Sequence, residues 1–599
     1  MSSNPHGQTQ PHPANGSPPA LERAPYTLVF LGDLHAGGRL DALIPVDPDN
    51  LAEVLRRARP TLALTIKPPF GGGSEWEFAL TFDSWRCFEP AGLLPQIPAA
   101  RARLDLSEGI RDRRTGKLGE AELAAVLEDA LRRDPTLAWL RETLPAPAGT
   151  ASVAGPPGTP PGGSILDLVE EPSQTDRVSA DVERLAETAA TRAGQVGAVE
   201  RRRLDAWQQR LAAELTAVSD AVLHHPDVRR LETAWRGLKL LVEGIDFRAG
   251  VRLAVLDVAR EQAARQLNEK VLEPAFAGET GTPGLILFDY PCQNTPVDIA
   301  LLDEIGRAAA SLPVPVVFPL EAAFFGVKSA GLVKNLPNLS GLVDGWQFAK
   351  WRTLREQPHS RWLVAVFGRF LLRPPYAAQP DARTYAYDER VTGEGQLLWG
   401  GGHLALGLCA ARAFASHGWP TRMFGAEAGR LANLPIATNP ADAQKPWGPG
   451  DVTLPDRRLD ELPAIGVNLL QSIPGKDYCL LLGGVTVAKP IVTTTTGKQP
   501  ALLEVSLPYQ QFSSLLGAWL CAQQTALQGR PVDEVQKHLL FGLCDLLGMK
   551  PEDAADAVAV GVGPAPDDPL RTLVQVRLTP PGRIVPGGLQ VDFAFTVRS

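Results

Sequence analysis

A stretch of proline, glycine and other small residues divides this chain into a shorter and a longer part. Residues 145–163 consist almost entirely of Pro, Gly, Ala, Ser and Thr, and they offer a core almost nothing to bury. Such a composition is typical of a linker between folded units. The chain has 599 residues, and single hydrophobic cores stop growing near about 250–300 residues. Two or more folded units are therefore expected.

The linker sets the predicted domain boundaries. Residues 1–24 are rich in Pro, Ser, Asn and Gln and carry too little apolar surface to offset the entropy of ordering, so they are predicted to be a disordered tail. We predict a first domain over 25–144, the linker over 145–163, a short amphipathic segment with a connector over 164–200, and a second domain over 201–599.

Composition and charge exclude several classes of partner. The chain is 44% hydrophobic and 21% charged, which is usual for a soluble globular protein. Its formal net charge of -8 argues against a surface that neutralises phosphates, so no nucleic acid partner is expected. No apolar run reaches the roughly 18–20 residues of a membrane-spanning helix, and the first residues lack the pattern of an export signal. We expect a cytoplasmic protein that does not insert into a membrane.

The first domain shows strand and hairpin patterns. Residues Tyr26 to Leu31 form a short apolar run that ends at Gly32-Asp33, as in a buried strand followed by a turn. A helix is predicted from Leu51, because the Asp and Asn side chains before it can cap its free amides. Two alternating runs, 62–66 and 76–82, flank three glycines and predict a hairpin.

The second domain begins with the strongest helical periodicity in the chain. Apolar residues recur at three and four positions from Leu204 to Leu241, and Pro226 divides this stretch into two helices. Apolar runs at 251–258 and 285–288 then alternate with helical segments. The predicted fold class is mixed α/β, with two domains of mixed sheets flanked by helices and with long helices in the second.

The chain ends in a run that alternates apolar and polar residues. Val591, Phe593, Phe595 and Val597 fall on one face of a predicted terminal strand. A strand at the end of a chain is an unpaired edge, which a monomer usually avoids. This strand is therefore a candidate for pairing between copies.

Motifs for catalysis, metal binding and cofactor binding are weak, so no catalytic, metal-binding or cofactor-binding residue is predicted. The Gly-Lys pairs at Gly116, Gly475 and Gly497 lack the setting of a phosphate-binding loop. The turn from Gly400 to His403 is better interpreted as a close-packed turn than as a nucleotide site. The pair His224-His225 is better interpreted as a helix cap or packing contact than as a metal site. Two carboxylates can act as a general acid and a general base, and any long chain contains such pairs by chance. A two-domain hydrolase therefore stays as the less favoured alternative.

A short apolar segment follows the linker. Ser164 to Glu171 carry Ile165, Leu166, Leu168 and Val169 between a capping serine and acidic residues. It is predicted to be a short amphipathic helix that either docks on a partner or packs back on its own domain.

Several motifs in one order resemble the large sheath subunit of type VI secretion systems. The signature residues are His225, Pro226, Leu231, Glu232, Trp235, Arg236, Gly237, Leu238, Arg373, Pro375, Tyr376 and Trp399. Further matches lie at Phe324-Phe325-Gly326, Trp351-Arg352, Leu354-Arg355, Glu389 and Gly418-Trp419-Pro420. We interpret the signature residues mainly as packing residues. The resemblance extends from about Leu204 to the middle 400s and weakens after that.

The shorter part resembles the small sheath subunit of the same systems. The matches are Leu31-Gly32-Asp33-Leu34, Ile44 to Leu55, and Leu80 to Pro90. In that family the two subunits are usually separate chains that form a heterodimer. The resemblance therefore implies a fused small-plus-large sheath protein and not an enzyme.

The resemblance also implies a mechanism and partners. Family members polymerise helically around an inner tube, exchange terminal β-strands and contract to drive effector injection. Implied partners are further copies of the chain, the inner tube protein, baseplate components and a ring-shaped disassembly ATPase that recognises Ile165, Leu166, Leu168 and Val169. The sheath of a phage-tail-like extracellular contractile particle is the alternative setting.

Overall fold

The computed structural model describes residues 24–35, 42–70, 74–142, 174–378, 385–437, 448–490, 505–566, 568–585 and 590–598. The predicted linker, and all of the predicted tail except Ala24, fall outside these ranges. The strands, in chain order, are β1 (Tyr26–Gly32), β2 (Ile44–Pro45), β3 (Thr61–Ile66), β4 (Trp76–Thr81), β5 (Val251–Asp257), β6 (Leu285–Phe288), β7 (Val316–Leu320), β8 (Leu363–Phe367), β9 (Arg369–Leu371), β10 (Trp399–Gly401), β11 (Arg430–Leu431), β12 (Val467–Ser472), β13 (Cys479–Leu482), β14 (Val558–Ala565), β15 (Asp568–Leu578) and β16 (Val591–Arg598). The α-helices of the described residues are α1 (Leu51–Ala58), α2 (Pro90–Leu93), α3 (Pro98–Arg114), α4 (Glu120–Arg133), α5 (Trp139–Glu142), α6 (Gln174–Leu223), α7 (Pro226–Gly244), α8 (Ala263–Leu267), α9 (Glu273–Phe276), α10 (Pro296–Ser311), α11 (Leu339–Asp344), α12 (Ala349–Arg355), α13 (Gly402–His417), α14 (Asp456–Ala464), α15 (Leu507–Leu527) and α16 (Val532–Leu547).

The chain divides into two compact units, each assembled from separate stretches of sequence. The sheet unit comprises Met1–Leu51, Ala234–Leu372 and Trp399–Ser599. The helical unit comprises Ala52–Thr233 and Arg373–Leu398. The predicted boundaries at 144 and 201 separate two regions that resemble two subunits. We call them the small region (25–144) and the large region (201–599). These boundaries remain a prediction. Both regions contribute residues to both units.

The sheet unit is built on a nine-stranded sheet in the order β11-β13-β12-β8-β7-β6-β1-β5-β2. The predicted first strand, β1, lies inside this sheet and runs parallel to β5 and β6, with Leu28 opposite both Leu253 and Leu285. Its apolar run is continuous because residues on both faces are covered, as in other buried parallel strands. Helix α13 also belongs to this unit, and its residues from Gly402 to Ala411 are all buried.

The last part of the sheet unit has a core of its own. The antiparallel sheet β14-β15-β16 packs with α15 and α16 around residues such as Phe512, Leu539, Val574 and Val597. The strand predicted at the end of the chain is β16, and it pairs with β15 along its whole length. Among the described residues, β15 is the only strand that pairs with β16.

The helical unit contains the predicted hairpin, the first predicted long helix, α6, and the start of the second, α7. Strands β3 and β4 pair antiparallel with Leu62 opposite Leu80, so their apolar faces coincide. Helices α3, α4 and α6 share a core that includes Leu106, Leu127 and Leu211. The predicted mixed α/β fold class is confirmed. None of the described helices combines the length and apolar character needed to cross a bilayer.

Candidate functional site

A signature residue of the large region binds a motif of the small region within the sheet unit. The indole Nε1 of Trp235 donates to the Leu34 carbonyl at 3.0 Å. The Leu34 amide donates to Asp257 Oδ1 at 2.8 Å, so both main-chain groups of this residue are bound. Asp257 is the last residue of β5, which is the neighbour of β1 in the sheet. The turn after β1 is therefore held from two sides by the large region.

A second pair of motifs meets within the helical unit. The Tyr376 hydroxyl donates to the Phe88 carbonyl at 3.3 Å. Tyr376 belongs to the Arg-x-Pro-Tyr motif of the large region, and Phe88 belongs to the Phe-Glu-Pro motif of the small region. Contacts between the two regions thus use residues from both sets of motifs.

A buried cluster of charged side chains lies behind Tyr376. Arg373 Nε donates to Glu232 Oε1 at 2.9 Å, and Arg373 Nη1 donates to Glu389 Oε2 at 2.7 Å. The same Glu389 oxygen accepts from the Tyr376 amide at 2.9 Å, and its other oxygen lies 3.1 Å from His224 Nε2. Glu232 is fully buried, and Arg373 and Glu389 are each 9% exposed. Buried charges of this kind are tolerated because each meets an opposite charge and further hydrogen bonds.

The cluster keeps its groups charged. Burial alone would raise the pKa of the Glu389 carboxyl, but contacts from His224, Arg373 and the Tyr376 amide lower that pKa to about 2. Burial would likewise lower the pKa of Arg373, and the neighbouring Glu232, Tyr376 and Glu389 raise it above its usual value. Glu389 is therefore an anion, and Arg373 a cation, over the whole physiological range of pH.

The cluster fastens the segment 373–398 to the end of α6 and the start of α7. Two further hydrogen bonds join the same segments. Arg229 Nη2 donates to the Leu397 carbonyl at 2.7 Å, and the Tyr387 hydroxyl donates to Asp220 Oδ1 at 2.7 Å. Burial raises the pKa of Asp220, against the effect of its hydrogen bonds. The arrangement works as a structural clamp between these segments.

The remaining signature residues lie at the helix break or in cores. His225 precedes Pro226, which is the first residue of α7, a position where a missing amide hydrogen is harmless. Gly237 lies so close to α13 that a Cβ there would be 2.8 Å from a Leu404 methyl carbon. The apolar signature residues Leu231, Trp235, Leu238 and Trp399 are buried. Arg236 and Pro375 are half-buried.

Sequence reasoning did not find the ion pair that joins the two regions most deeply. Arg103, from the small region, is fully buried, and its Nε lies 2.9 Å from Glu214 Oε2 of the large region. It also binds Asp134 and stacks on Phe70, whose ring centre is 4.4 Å away. The one available signal was an arginine on an otherwise small and apolar helix face. The contact of His224 with Glu389 was likewise missed. The sequence had favoured a cap or packing contact for this residue without naming its partner.

The four candidate residues of the terminal strand lie on one face. Val591 and Val597 are buried in the core beneath β16, and Phe593 and Phe595 pack against it. Asp592, Ala594 and Thr596 are exposed, which is the alternation that the sequence predicts. The other candidate segment, Ile165, Leu166, Leu168 and Val169, lies outside the described residues.

Comparisons with known proteins give the class first. A family model described as "EvpB/VC_A0108, tail sheath N-terminal domain" matches residues 205–488. A second, described as "Type VI secretion system, VipA, VC_A0107 or Hcp2", matches residues 21–145. Both matched regions contribute strands to one sheet and charged side chains to one buried ion network. The chain belongs to the type VI secretion sheath family and carries its small and large sheath regions in one polypeptide.

One curated relative and one solved structure are similar to this chain. The type VI secretion system sheath protein TssC1 of Pseudomonas aeruginosa is 28% identical over 300 residues, which cover 47% of this chain and 60% of that protein. The sheath tail protein Lin1278 from Listeria innocua matches 57% of this chain and 60% of its own length, with 11% identity and a TM-score of 0.30. A score that low establishes no more than a partial likeness.

Proposed function

We propose that this chain is the structural subunit of a cytoplasmic contractile sheath. Copies polymerise helically around an inner tube, are anchored by baseplate components, and contract to drive effectors into a target. The subunit catalyses no reaction, because the work of contraction comes from release of a metastable packing between copies into a tighter one. A ring-shaped ATPase that recognises Ile165, Leu166, Leu168 and Val169 disassembles the contracted sheath.

One observation carries the proposal. The motifs of the small region and of the large region bind each other inside one chain, through Trp235 and Leu34 and through Tyr376 and Phe88. A single polypeptide thus does what the usual heterodimer of two chains does, and it needs no second kind of chain to complete the subunit.

Links between copies are supported by the terminal sheet. β16 is at the edge of a three-stranded sheet. An edge strand gains main-chain hydrogen bonds when it is added to a neighbour's sheet or when a neighbour's strand is added to it. Such links persist while the rigid parts of the subunits move. The residues Val591, Phe593, Phe595 and Val597 would keep the strand in register, since a slip by one residue would turn them to the solvent.

Negative-stain electron microscopy of the purified chain tests the proposal. The full chain is expected to form tubes, and deletion of residues 590–599 is expected to leave soluble protein without tubes. Because the deletion also removes Val591 and Val597 from the core, a milder variant is needed. Lysines at the exposed positions Ala594 and Thr596 leave the core residues in place and discourage edge pairing.

A control is Ala559→Lys, which places one lysine at an exposed position of β14, the opposite edge strand. Tubes should form with this variant and not with Ala594→Lys/Thr596→Lys. Normal tubes from the deleted chain would contradict the assignment of β16. Failure of the full chain to form tubes under any condition would contradict the function itself.

A further inference from the structure

The sheet unit contains a basic cavity near the end of the chain. It has a volume of about 290 Å³ and lies where the ends of α13 and α16 meet the turn before residue 585. Trp419, Leu547 and Ile584 form apolar walls, and three basic side chains line it, namely His417, Arg422 and Arg583. Among the described residues that line the cavity, none is acidic. The cavity therefore offers positive charge against an apolar surface.

The shape of the cavity is fixed before anything binds. Arg583 Nη2 donates to the Leu547 carbonyl at 2.9 Å and also to the Gly548 carbonyl, so it caps the end of α16. The Thr421 hydroxyl donates to the Ile584 carbonyl and ties the segment after α13 to the same turn. A site held in this way loses little conformational freedom on binding.

A rigid acidic turn lies on the same part of the molecule. Glu552, Asp553 and Asp556 are all exposed, between α16 and β14. Ala554 is fully buried and anchors the turn, and its carbonyl accepts from the Ala557 amide at 3.0 Å. The turn therefore presents three carboxylates within five residues from a fixed backbone.

We propose that the basic cavity of one copy receives the acidic turn, residues 552–556, of a second copy. This inference rests on the proposed function, since it assigns a contact within the polymer. Arginine binds carboxylates through paired, charge-assisted hydrogen bonds, which fits Arg422 and Arg583 beside an apolar wall. The chain as a whole carries a net charge of -8, so copies repel one another unless acidic surfaces meet basic ones.

The geometry of the contact also fits a helical polymer. In the proposed contact the cavity of one copy receives the turn of the next copy, and that copy's own cavity stays open for the turn of a third copy. A contact between different surfaces is head-to-tail, and repetition of a head-to-tail contact gives a ring or an open helical filament. A contact of this kind extends the polymer, whereas one between identical surfaces would close a pair.

Charge reversal tests the contact. Arg422→Glu places an acidic group in the cavity without removing a buried side chain, because Arg422 is exposed. We expect the protein concentration needed for tube assembly, measured by light scattering and negative-stain microscopy, to rise about tenfold or more. Arg57→Glu, at an exposed position of α1, is the control with the same change of charge and should assemble like the full chain.

Restoration by a second reversal identifies the occupant. In the combined variant Arg422→Glu/Glu552→Arg/Asp553→Arg, the new acidic group of the cavity pairs with the new basic groups of the turn, while Arg583 and Asp556 are unchanged, so assembly should recover. Thermal unfolding of every variant should match that of the full chain, which separates a lost contact from a lost fold.

Each result decides something. Normal assembly of Arg422→Glu would overturn the inference and leave the proposed function intact. Loss of assembly without recovery in the combined variant would overturn the acidic turn as occupant. If the unchanged chain never assembles, the proposed function fails and this contact fails with it.

Discussion

Arg103 and Glu214 are 111 positions apart in the sequence and form a buried ion pair in which Nε and Oε2 are 2.9 Å apart. Arg103 lies on α3 in the small region, and Glu214 lies on α6 in the large region. The pair is completed by Asp134, which binds the same guanidinium. Fusion of two sheath subunits thus places both ends of this network in one chain.

Removal of Arg103 should be strongly destabilising. Arg103→Ala takes the buried guanidinium from the Asp134 and Glu214 carboxylates, of which Glu214 keeps only its contact with the half-exposed Arg210. Loss of one partner from such a cluster costs about 3–5 kcal/mol. Chemical denaturation followed by far-ultraviolet circular dichroism measures the loss. The control is Arg132→Ala, because Arg132 pairs with Asp129 at 3.4 Å on the surface with 76% of its side chain exposed, and such pairs are worth at most about 1 kcal/mol. Equal effects of the two changes would contradict this account of the network.

Cutting the linker should leave the two regions associated. A protease site inserted within residues 145–163 allows the chain to be cleaved after folding. We expect the fragments to elute together from a size-exclusion column, because β1 of the small region lies between β5 and β6 of the large region and the Arg103–Glu214 pair joins α3 to α6. Elution should match that of the uncut protein. Separation of the fragments without denaturant would show that these contacts are weaker than the structure indicates.

Two tryptophans provide a comparison between a core position and a surface position. Trp235 is fully buried and donates to the Leu34 carbonyl, whereas Trp346 is 87% exposed. Trp235→Ala should lower the free energy of unfolding by about 3–5 kcal/mol through the cavity and the lost hydrogen bond. Trp346→Ala should change it by no more than about 0.5 kcal/mol. A small effect at Trp235 would show that its part in packing is minor.

The buried cluster around Glu389 should make stability depend on pH under acidic conditions. The pKa of Glu389 is about 2 in the folded chain and near 4.3 in an unfolded one. A carboxyl with a lowered pKa stabilises the fold above its unfolded pKa, and this stabilisation disappears as the pH falls from about 4.3 towards about 2. The loss amounts to about 3 kcal/mol. Denaturation curves between pH 5 and pH 3 measure about half of this loss.

Glu389→Gln is the control for this pH dependence. The amide does not titrate, so the variant should be less stable at pH 5 and should lose less stability than the unchanged chain as the pH falls. Parallel pH profiles for the two proteins would assign the titration to other groups.

Local patterns in the sequence predicted most of the elements and the faces that they bury. Apolar spacing identified α6 and α7 and their break at Pro226, and alternation identified the β3–β4 hairpin and β16. These predictions succeeded because each depends on neighbours within a few positions along the chain. The resemblance of separated motifs added the family, since several short matches in one order are far more specific than any single match.

The contacts of the candidate site were less accessible from the sequence. Periodicity shows that Trp235 faces inward, but it does not show that its indole nitrogen meets the Leu34 carbonyl, 201 positions away. The same holds for the Glu389 cluster, whose members come from three separate segments. Charged residues normally face solvent, so composition does not show that Glu232 is buried, and the one signal for Arg103 is its small and apolar neighbours on the helix face.

The order of residues alone therefore determined the position of many helices and strands, the apolar face of each, and the family to which the chain belongs. The tertiary structure decided that β1 lies between β5 and β6, that the compact units combine stretches from both regions, and which charges meet in the core. The physical reason is that hydrophobic burial is not directional. It specifies that a face must be covered, while the partner that covers it is selected by the packing and hydrogen bonding of the whole fold.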